Sequence, residues 1–555
     1  MRRPPPRFAL EGTIDIDTPQ GHDYIIVGAG SAGCVLANRL SEDARCRVLL
    51  LEAGGEDRHP FLRIPLAVGR LHAQRMFDWG LDSEPEPDLG GRTIDAMRGR
   101  VLGGSSSINY MNCTRGHRGD FDRWAAAGAE GWSWDAVLPY FRRSERWDGP
   151  PGPARGTDGP TGVQPQRFED PLLDAWQAAA LHAGYPATDD FNSGEPVGFG
   201  RGHCFVSRGR RMSSARAYLH PVRSRPNLEV RTGVQATRLL FEAGRASGVE
   251  YTAGGHLVQA RAEAEVLLCA GTFNSPQLLM LSGIGPADHL SSLGIPVRAD
   301  LPVGRNLQDH AAAAIAFERR SPGPFQAWMR ADRIALSMLR AWLLGTGPAT
   351  MLPTALYAFL CTQPGSRVPD IEFMFRCAPL HPDPWFPLLR PALRDGFSIR
   401  PALLHPRSRG EVLLRSADPA AKVRIRFNLL SDARDRETLA DGVERALALS
   451  MSDALAPFRG RMLTDAADLA SRDRIEAWLR RTAVTVHHPA GTCRMSAPGD
   501  PSGVVDPQLR VRGIDRLRVV DASVMPDLPS AHINAAVLMI AERGADLVRG
   551  VVPDG

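Results

Sequence analysis

A chain of 555 residues is too long for one simple core, so two domains or one large composite unit are expected. With 43% hydrophobic and 23% charged residues it reads as an ordinary folded protein rather than a disordered one, and a formal charge of +4 gives no reason to expect nucleic acid as a partner. The eight Cys are scattered without C-x-x-C spacing, which argues against a metal site and for reduced thiols in the cytoplasm.

In chain order, residues 1–20 read as a Pro-rich, mobile arm, positively charged but without the apolar stretch of a signal peptide. Order is expected from Asp23. "YIIVGAG" (24–30) is an apolar strand ending in glycines. "SAGCVLANRLSED" (31–43) puts Ala32, Val35, Leu36 and Leu40 on one helical face, and "RVLLLEAG" (47–54) is a second buried strand. Together they form a β-α-β unit of about 30 residues. Gly28, Gly30 and Gly33 make G-x-G-x-x-G at its first turn. The first glycine permits the tight turn, the second lets a pyrophosphate approach the backbone, and the third lets the helix pack on the strand. Free N–H groups and the helix dipole favour the phosphates there. Glu52, 19 residues beyond Gly33, stands where a carboxylate bonds ribose hydroxyls. Ser31 and Ala53 are expected to share this dinucleotide site. The motif does not separate FAD from NAD.

Further along, "GPPGPARGTDGPTG" (149–162) is a breaker-rich loop and a candidate boundary. Residues 227–251 read as strands and turns, and "AEVLLCAG" (264–271) as another apolar strand ending in glycine. Residues 320–400 are rich in Pro, Trp, Phe and Met, with weak periodicity. Within them "RADRIALSMLRAWLLGTG" (330–347) is basic, apolar and helix-like, a stretch that could touch a membrane. A strand is expected in 410–419, then strand 517–524, loop 525–534 and helix 535–550. No run of about 18 apolar residues predicts a spanning helix.

Three segments make the pattern specific: "GRVLGGSSSIN" (99–109), "GTFNSPQLLMLSGIG" (271–285) and "VVDASVMP" (519–526). With "LPVGRNLQDH" (301–310) and the glycine loop, the sequence resembles the glucose–methanol–choline (GMC) oxidoreductases, particularly their choline-dehydrogenase-like branch, from about Asp23 to Gly550. The resemblance implies an α/β, Rossmann-like FAD-binding domain with an α+β substrate-binding domain inserted. The FAD part is expected mainly in 21–319, with substrate-domain sequence inserted around 150–225. The substrate part is expected mainly in 320–489, and the chain returns to the FAD part over 490–555. Cofactor contacts are expected from Trp79, from Leu102, Gly103, Gly104 and Ser105, and from Asn109, Tyr110 and Met111. Further contacts are expected from Ala236, Gly271, Asp521, Ala522, Asn534 and Ala535. Some relatives attach FAD through a His just before the Asn of the serine-rich motif. Ile108 stands there, so non-covalent FAD is expected. Cys113 also departs from the usual pattern.

The late stretch "VHHPAGTC" (486–493) then acquires a purpose. By the resemblance, His488, the His before Pro489, is the base that takes an alcohol's proton while hydride goes to the flavin. Asn534 is the second polar residue. Imidazole, with an unperturbed pKa of about 6.5, suits that task. His487 and His310 are expected to be structural, and His405 and His532 are candidate substrate-lining residues. The substrate is expected to be an uncharged primary alcohol, because Trp328, Trp342, Met351, Phe373 and Phe375 suggest an apolar pocket. A choline-type alcohol is the alternative, and O₂ or a quinone the electron acceptor. Rival readings are a light-driven flavin decarboxylase, whose known examples lack the His found at 488, an NAD(P)-linked reductase, and a non-catalytic flavin-binding protein.

Overall fold

The computed structural model describes residues 21–551 and the strand Asp15–Ile16; the rest of the expected N-terminal arm lies outside the described residues. Two sheets dominate, each with its own core. The first runs in the order 228–232, 48–52, 22–27, 256–268, 245–253, 235–242. Its first four strands are parallel, and the last two are added antiparallel. The strand Val48–Glu52 is wholly buried, as expected of a parallel strand covered on both faces.

His256–Leu268 organises this sheet. Its first half pairs antiparallel with 245–253, and its second half lies parallel between His22–Val27 and Leu517–Val519. The expected strand 264–271 is thus the end of a longer one. The helix Ser31–Leu40 packs on the C-terminal helix Asn534–Arg549, so the two ends of the chain build one layer. The parallel strands all deliver their C-terminal ends to one edge, where ligands bind in open α/β sheets.

The second sheet is antiparallel, in the order 459–462, 315–319, 396–403, 371–376, 356–360, 198–201; the short strand 311–312 links it to 484–485. Residues 311–319, expected with the first part, belong to this sheet. Gly198–Arg201 brings the 150–225 region into it. "IEFMFR" (371–376) alternates: Ile371, Phe373 and Phe375 enter the core, while Met374 and Arg376 face the interior space between the sheets. The weak periodicity read over 320–400 comes from connecting loops, not from this strand. The expected helix within 330–347 is Ala331–Leu344.

Candidate active site

Between the sheets lies a cavity of about 1340 Å³. Small-molecule pockets usually hold about 300–1,000 Å³, so an extended dinucleotide and a small substrate fit together. The glycine loop forms one end. A Cβ on Gly33 would lie 1.9 Å from the Gly28 carbonyl oxygen, and one on Gly28 (φ +100°) 2.6 Å from that of Cys269. Those two glycines are demanded by protein packing. Gly30 is different: its φ is −76°, and a Cβ there meets no protein atom nearer than 3.8 Å. Its bareness serves the cavity. It leaves a backbone cradle at the start of Ser31–Leu40 that fits a pyrophosphate. Gly104 backs this cradle, since its Cβ would strike the Gly30 Cα.

Glu52 is buried at the end of its strand. Its Oε2 accepts the Ala29 N–H (2.9 Å) and its Oε1 the Gly54 N–H (2.7 Å), which fixes the loop. Burial raises its carboxyl to about 7. Each oxygen keeps a further lone pair for a ribose hydroxyl. Asp521 ties two turns together by accepting the Gly271 N–H (2.9 Å) and the Ser275 hydroxyl (2.6 Å). The buried Arg211, lowered to about 9 by burial, donates to Asn109 Oδ1 (2.9 Å) behind the serine-rich turn. Ser31 Oγ donates to Asn534 Oδ1 (2.8 Å), which leaves the Asn534 amide N–H₂ as its donor group.

The other end, where the histidines gather, is built by two antiparallel segments. The Val486 N–H donates to the His310 carbonyl (2.9 Å), and Gln308 exchanges backbone bonds with Ala490. His487 takes a left-handed φ of +63° before the His488–Pro489 step. Asp309 holds the turn: its Oδ1 accepts the His488 N–H (2.9 Å) and its Oδ2 the Thr485 hydroxyl. His310 and His488 meet Nδ1 to Nδ1 at 3.0 Å. The His532 ring lies 5.0 Å from that of His488, edge to face, and its Nε2 is 2.8 Å from Glu372 Oε1. Burial first, then His532 and His310, hold His488 well below the usual imidazole range, so it is neutral at pH 7. Burial lowers His310 to about 3.

Most residues expected from the sequence stand on this cavity wall. At the nucleotide end are Gly28, Gly30, Ser31, Glu52, Ala53 and Ala236, with Gly271, Asp521 and Ala522. Towards the histidine end come Trp79, Gly104, Ser105, Asn109, Tyr110, Met111, His488, His532 and Asn534. Five do not face it. Gly33 packs helix on strand, Leu102 is in the core, and Gly103 shapes the turn by donating to the Ala29 carbonyl. Ala535 turns to a separate crevice beside Cys113 and Phe205. His405 is directed at Asp120 (3.4 Å) and Arg123 (3.5 Å), away from the cavity, which removes it as a substrate-lining residue.

Two histidines exceed their expected roles: His310 touches His488 directly, and His487 lines the cavity with a buried, unpartnered Nδ1. Of the five residues behind the apolar-pocket expectation, none lines the cavity, and Phe373 and Phe375 are fully buried core. Leu352, Pro353, Tyr357, Met374, Arg376 and Arg400 form that wall. The alternation in "IEFMFR" was the available signal for Arg376; nothing local marked Arg400.

Family models for the GMC oxidoreductases match residues 22–312 and 406–541. The oxygen-dependent choline dehydrogenase of Rhizobium etli (strain CIAT 652) is 41% identical over 535 residues, 96% of each chain. The crystal structure of pyridoxine 4-oxidase from Mesorbium loti is 34% identical, covers 94% of this chain and 98% of its own, and superposes with a TM-score of 0.83. A fungal aryl-alcohol oxidase is 25% identical, covers 96% and 99%, and gives a TM-score of 0.81. With a glycine cradle at one end of the cavity, a neutral histidine at the other, and these matches along nearly its whole length, the chain belongs to the GMC oxidoreductases, FAD-dependent enzymes that act on alcohols.

Proposed function

We propose that the enzyme oxidises a primary alcohol to its aldehyde, with His488 as the base and Asn534 as the donor that holds the hydroxyl oxygen. The observation that carries this reading is the placement of a buried, neutral His488 and the free amide of Asn534 on one wall of the cavity that ends in the glycine cradle. FAD, when bound along that cradle, would supply the hydride acceptor at flavin N5. His488 takes the O–H proton while the carbinol carbon gives up its hydrogen as hydride, and the pair left on oxygen forms the C=O bond. Because Nδ1 of His488 meets His310, Nε2 is the nitrogen left for the substrate. That requires His488 Nδ1–H to donate to His310 Nδ1. His310 thereby sets the tautomer of the base. His532, anchored on Glu372, packs against the edge of the base and narrows its freedom to turn.

His488→Ala should retain FAD and slow anaerobic flavin reduction by about two to four orders of magnitude; an unchanged reduction rate would sink the assignment.

Non-covalent FAD is part of the proposal. Ile108 is buried among Leu62, Leu71, Met97 and Val101 and offers no attaching atom. Acid precipitation should release all the flavin into the supernatant; yellow colour retained in the pellet would overturn this. O₂ is the proposed acceptor, supported by the oxidase and oxygen-dependent names of the relatives. Admitting air to the alcohol-reduced enzyme should restore the flavin band within the turnover time.

A second observation favours contact with a lipid surface, from the cytoplasmic side that eight unpaired thiols suit. Among the described residues no helix is long and apolar enough to cross a membrane. However, Ala331–Leu344 exposes Leu336, Leu339 and Leu343 in a stripe beside the exposed Arg333 and Arg340, while Ile334 and Met338 on its other face line the cavity.

A further inference from the structure

Arg376 and Arg400 sit on neighbouring antiparallel strands of the second sheet. Met374 faces Arg400 across the ladder and Arg376 faces Ser398, so the two guanidinium-bearing residues are diagonal neighbours on one face. Both line the cavity that holds His488, and both are partly buried. Diagonal positions are about 7–8 Å apart, within reach for long side chains. Arg400 donates only a long bond, Nη2 to the Thr485 carbonyl at 3.5 Å, three residues before His488.

Among the described residues neither arginine has an ion-pair partner within 4 Å. Four carboxylates stand on the cavity wall: Glu52, Asp383, Asp465 and Asp521. Glu52 and Asp521 are tied to backbone at the nucleotide end, Asp383 is paired with Arg390 at 2.9 Å, and Asp465 accepts the Ala467 N–H at 3.0 Å as a helix cap. The acid on the Arg376 strand, Glu372, faces Ala402 and is thus also a diagonal neighbour of Arg400, but its Oε1 is engaged by His532. Burial lowers both guanidinium groups; Tyr110 partly offsets this at each, and at Arg400 the neighbouring Arg376 lowers the group further while Glu372 raises it.

Two desolvated like charges on one sheet face are costly unless something neutralises them. Planar guanidinium forks match oxyanions two bonds at a time. Resting on the alcohol-oxidation reading above, we propose that the substrate is a primary alcohol whose far end carries an oxyanion, a carboxylate or a phosphate, held by Arg376 and Arg400 while the hydroxyl meets His488 and Asn534. Tyr110 flanks both arginines and borders this end of the site. The reacting end remains an uncharged hydroxyl. A quaternary ammonium tail would face two cations, so choline is the wrong charge for this wall.

The FAD-loaded enzyme is tested anaerobically with 4-(hydroxymethyl)benzoate, 4-(hydroxymethyl)phenyl phosphate and 4-methylbenzyl alcohol, with benzoate as a non-oxidisable competitor. The expected result is that one anionic alcohol reduces the flavin with kcat/KM about 10- to 100-fold above the neutral one. The better of the two anions identifies the oxyanion. In Arg376→Gln and Arg400→Gln that ratio should fall by about the same factor; if either fails to fold, the Lys variants should lose part of it. Fast reduction by the neutral alcohol, with an anionic-to-neutral ratio near one that neither Gln variant changes, overturns the proposal and leaves alcohol oxidation standing. If no alcohol reduces the flavin but benzoate perturbs its visible band in wild type and not in Arg400→Gln, the oxyanion site stands and the alcohol reading fails.

Discussion

At the scale of single residues, the proposed chemistry rests on a histidine kept neutral. Burial and neighbouring histidines hold His488 well below the usual imidazole range, so the proposed base stays unprotonated through mild acid. The acid limb of kcat/KM should therefore lie clearly below pH 6.5, the usual imidazole value of about 6.5 being the comparison. A limb at 6.5 or above would contradict the environment described for His488. The two glycines of the loop make a paired test. Gly33→Ala pushes a Cβ to 1.9 Å from a backbone oxygen and should cost about 1–3 kcal/mol or more of stability, read as melting temperature without FAD. Gly30→Ala meets no protein atom within 3.8 Å. It should leave the apo melting temperature alone and weaken FAD by about 10- to 100-fold, the loss of charge-assisted bonds to a displaced phosphate.

At the scale of elements, the helix Ala331–Leu344 is a wall with two duties, its Ile334 side on the cavity and its Leu336 side on solvent. Replacing Leu336, Leu339 and Leu343 together by Ser should abolish co-sedimentation with phosphatidylglycerol vesicles while shifting the melting temperature little, since exposed side chains contribute little to stability. Undiminished binding by the triple variant would remove the lipid contact. Elements also explain what the sequence could and could not reveal. The β-α-β unit was legible because Gly28, Gly30, Gly33 and Glu52 are spaced by local geometry. The helix 331–344 was legible from its composition. His310 beside His488 was not, because that pair arises from strands 311–312 and 484–485 meeting across some 170 residues of chain. Nor was the orientation of His405: its neighbour Pro406 suggested a constrained turn, but whether that turn faced Asp120 or the substrate depended on distant packing.

For the whole molecule, the buried histidines make stability a function of pH. A histidine whose folded pKa lies below its unfolded value binds a proton more readily in the unfolded chain. Its contribution is full above about 6.5 and is lost as pH falls towards the folded value. His72 (about 4), His203 and His310 (about 3), with His487 and His488, all have this sign. Glu52 (about 7) and Asp309 (about 6), with Glu86, Asp95, Asp395 and Asp521 also raised by burial, have the opposite sign and gain stability over part of the same range. His289 and His405 are lowered as well, and Glu56 and Glu250, lowered beside arginines, also lose stability on acidification, so the melting temperature should fall from pH 6.5 to 4; a rise on acidification would contradict the balance.

The bond between Ser31 and Asn534 joins the first residues of two helices that lie at opposite ends of the chain. During synthesis the ribosome releases the glycine loop 503 residues before its partner helix begins. A nascent chain stalled before residue 517 has neither the strand 517–519 nor the helix that covers Ser31–Leu40. Stable flavin loading should therefore wait until the helix 534–549 has been made, and alleles truncated just before residue 534 should accumulate as colourless, protease-sensitive protein.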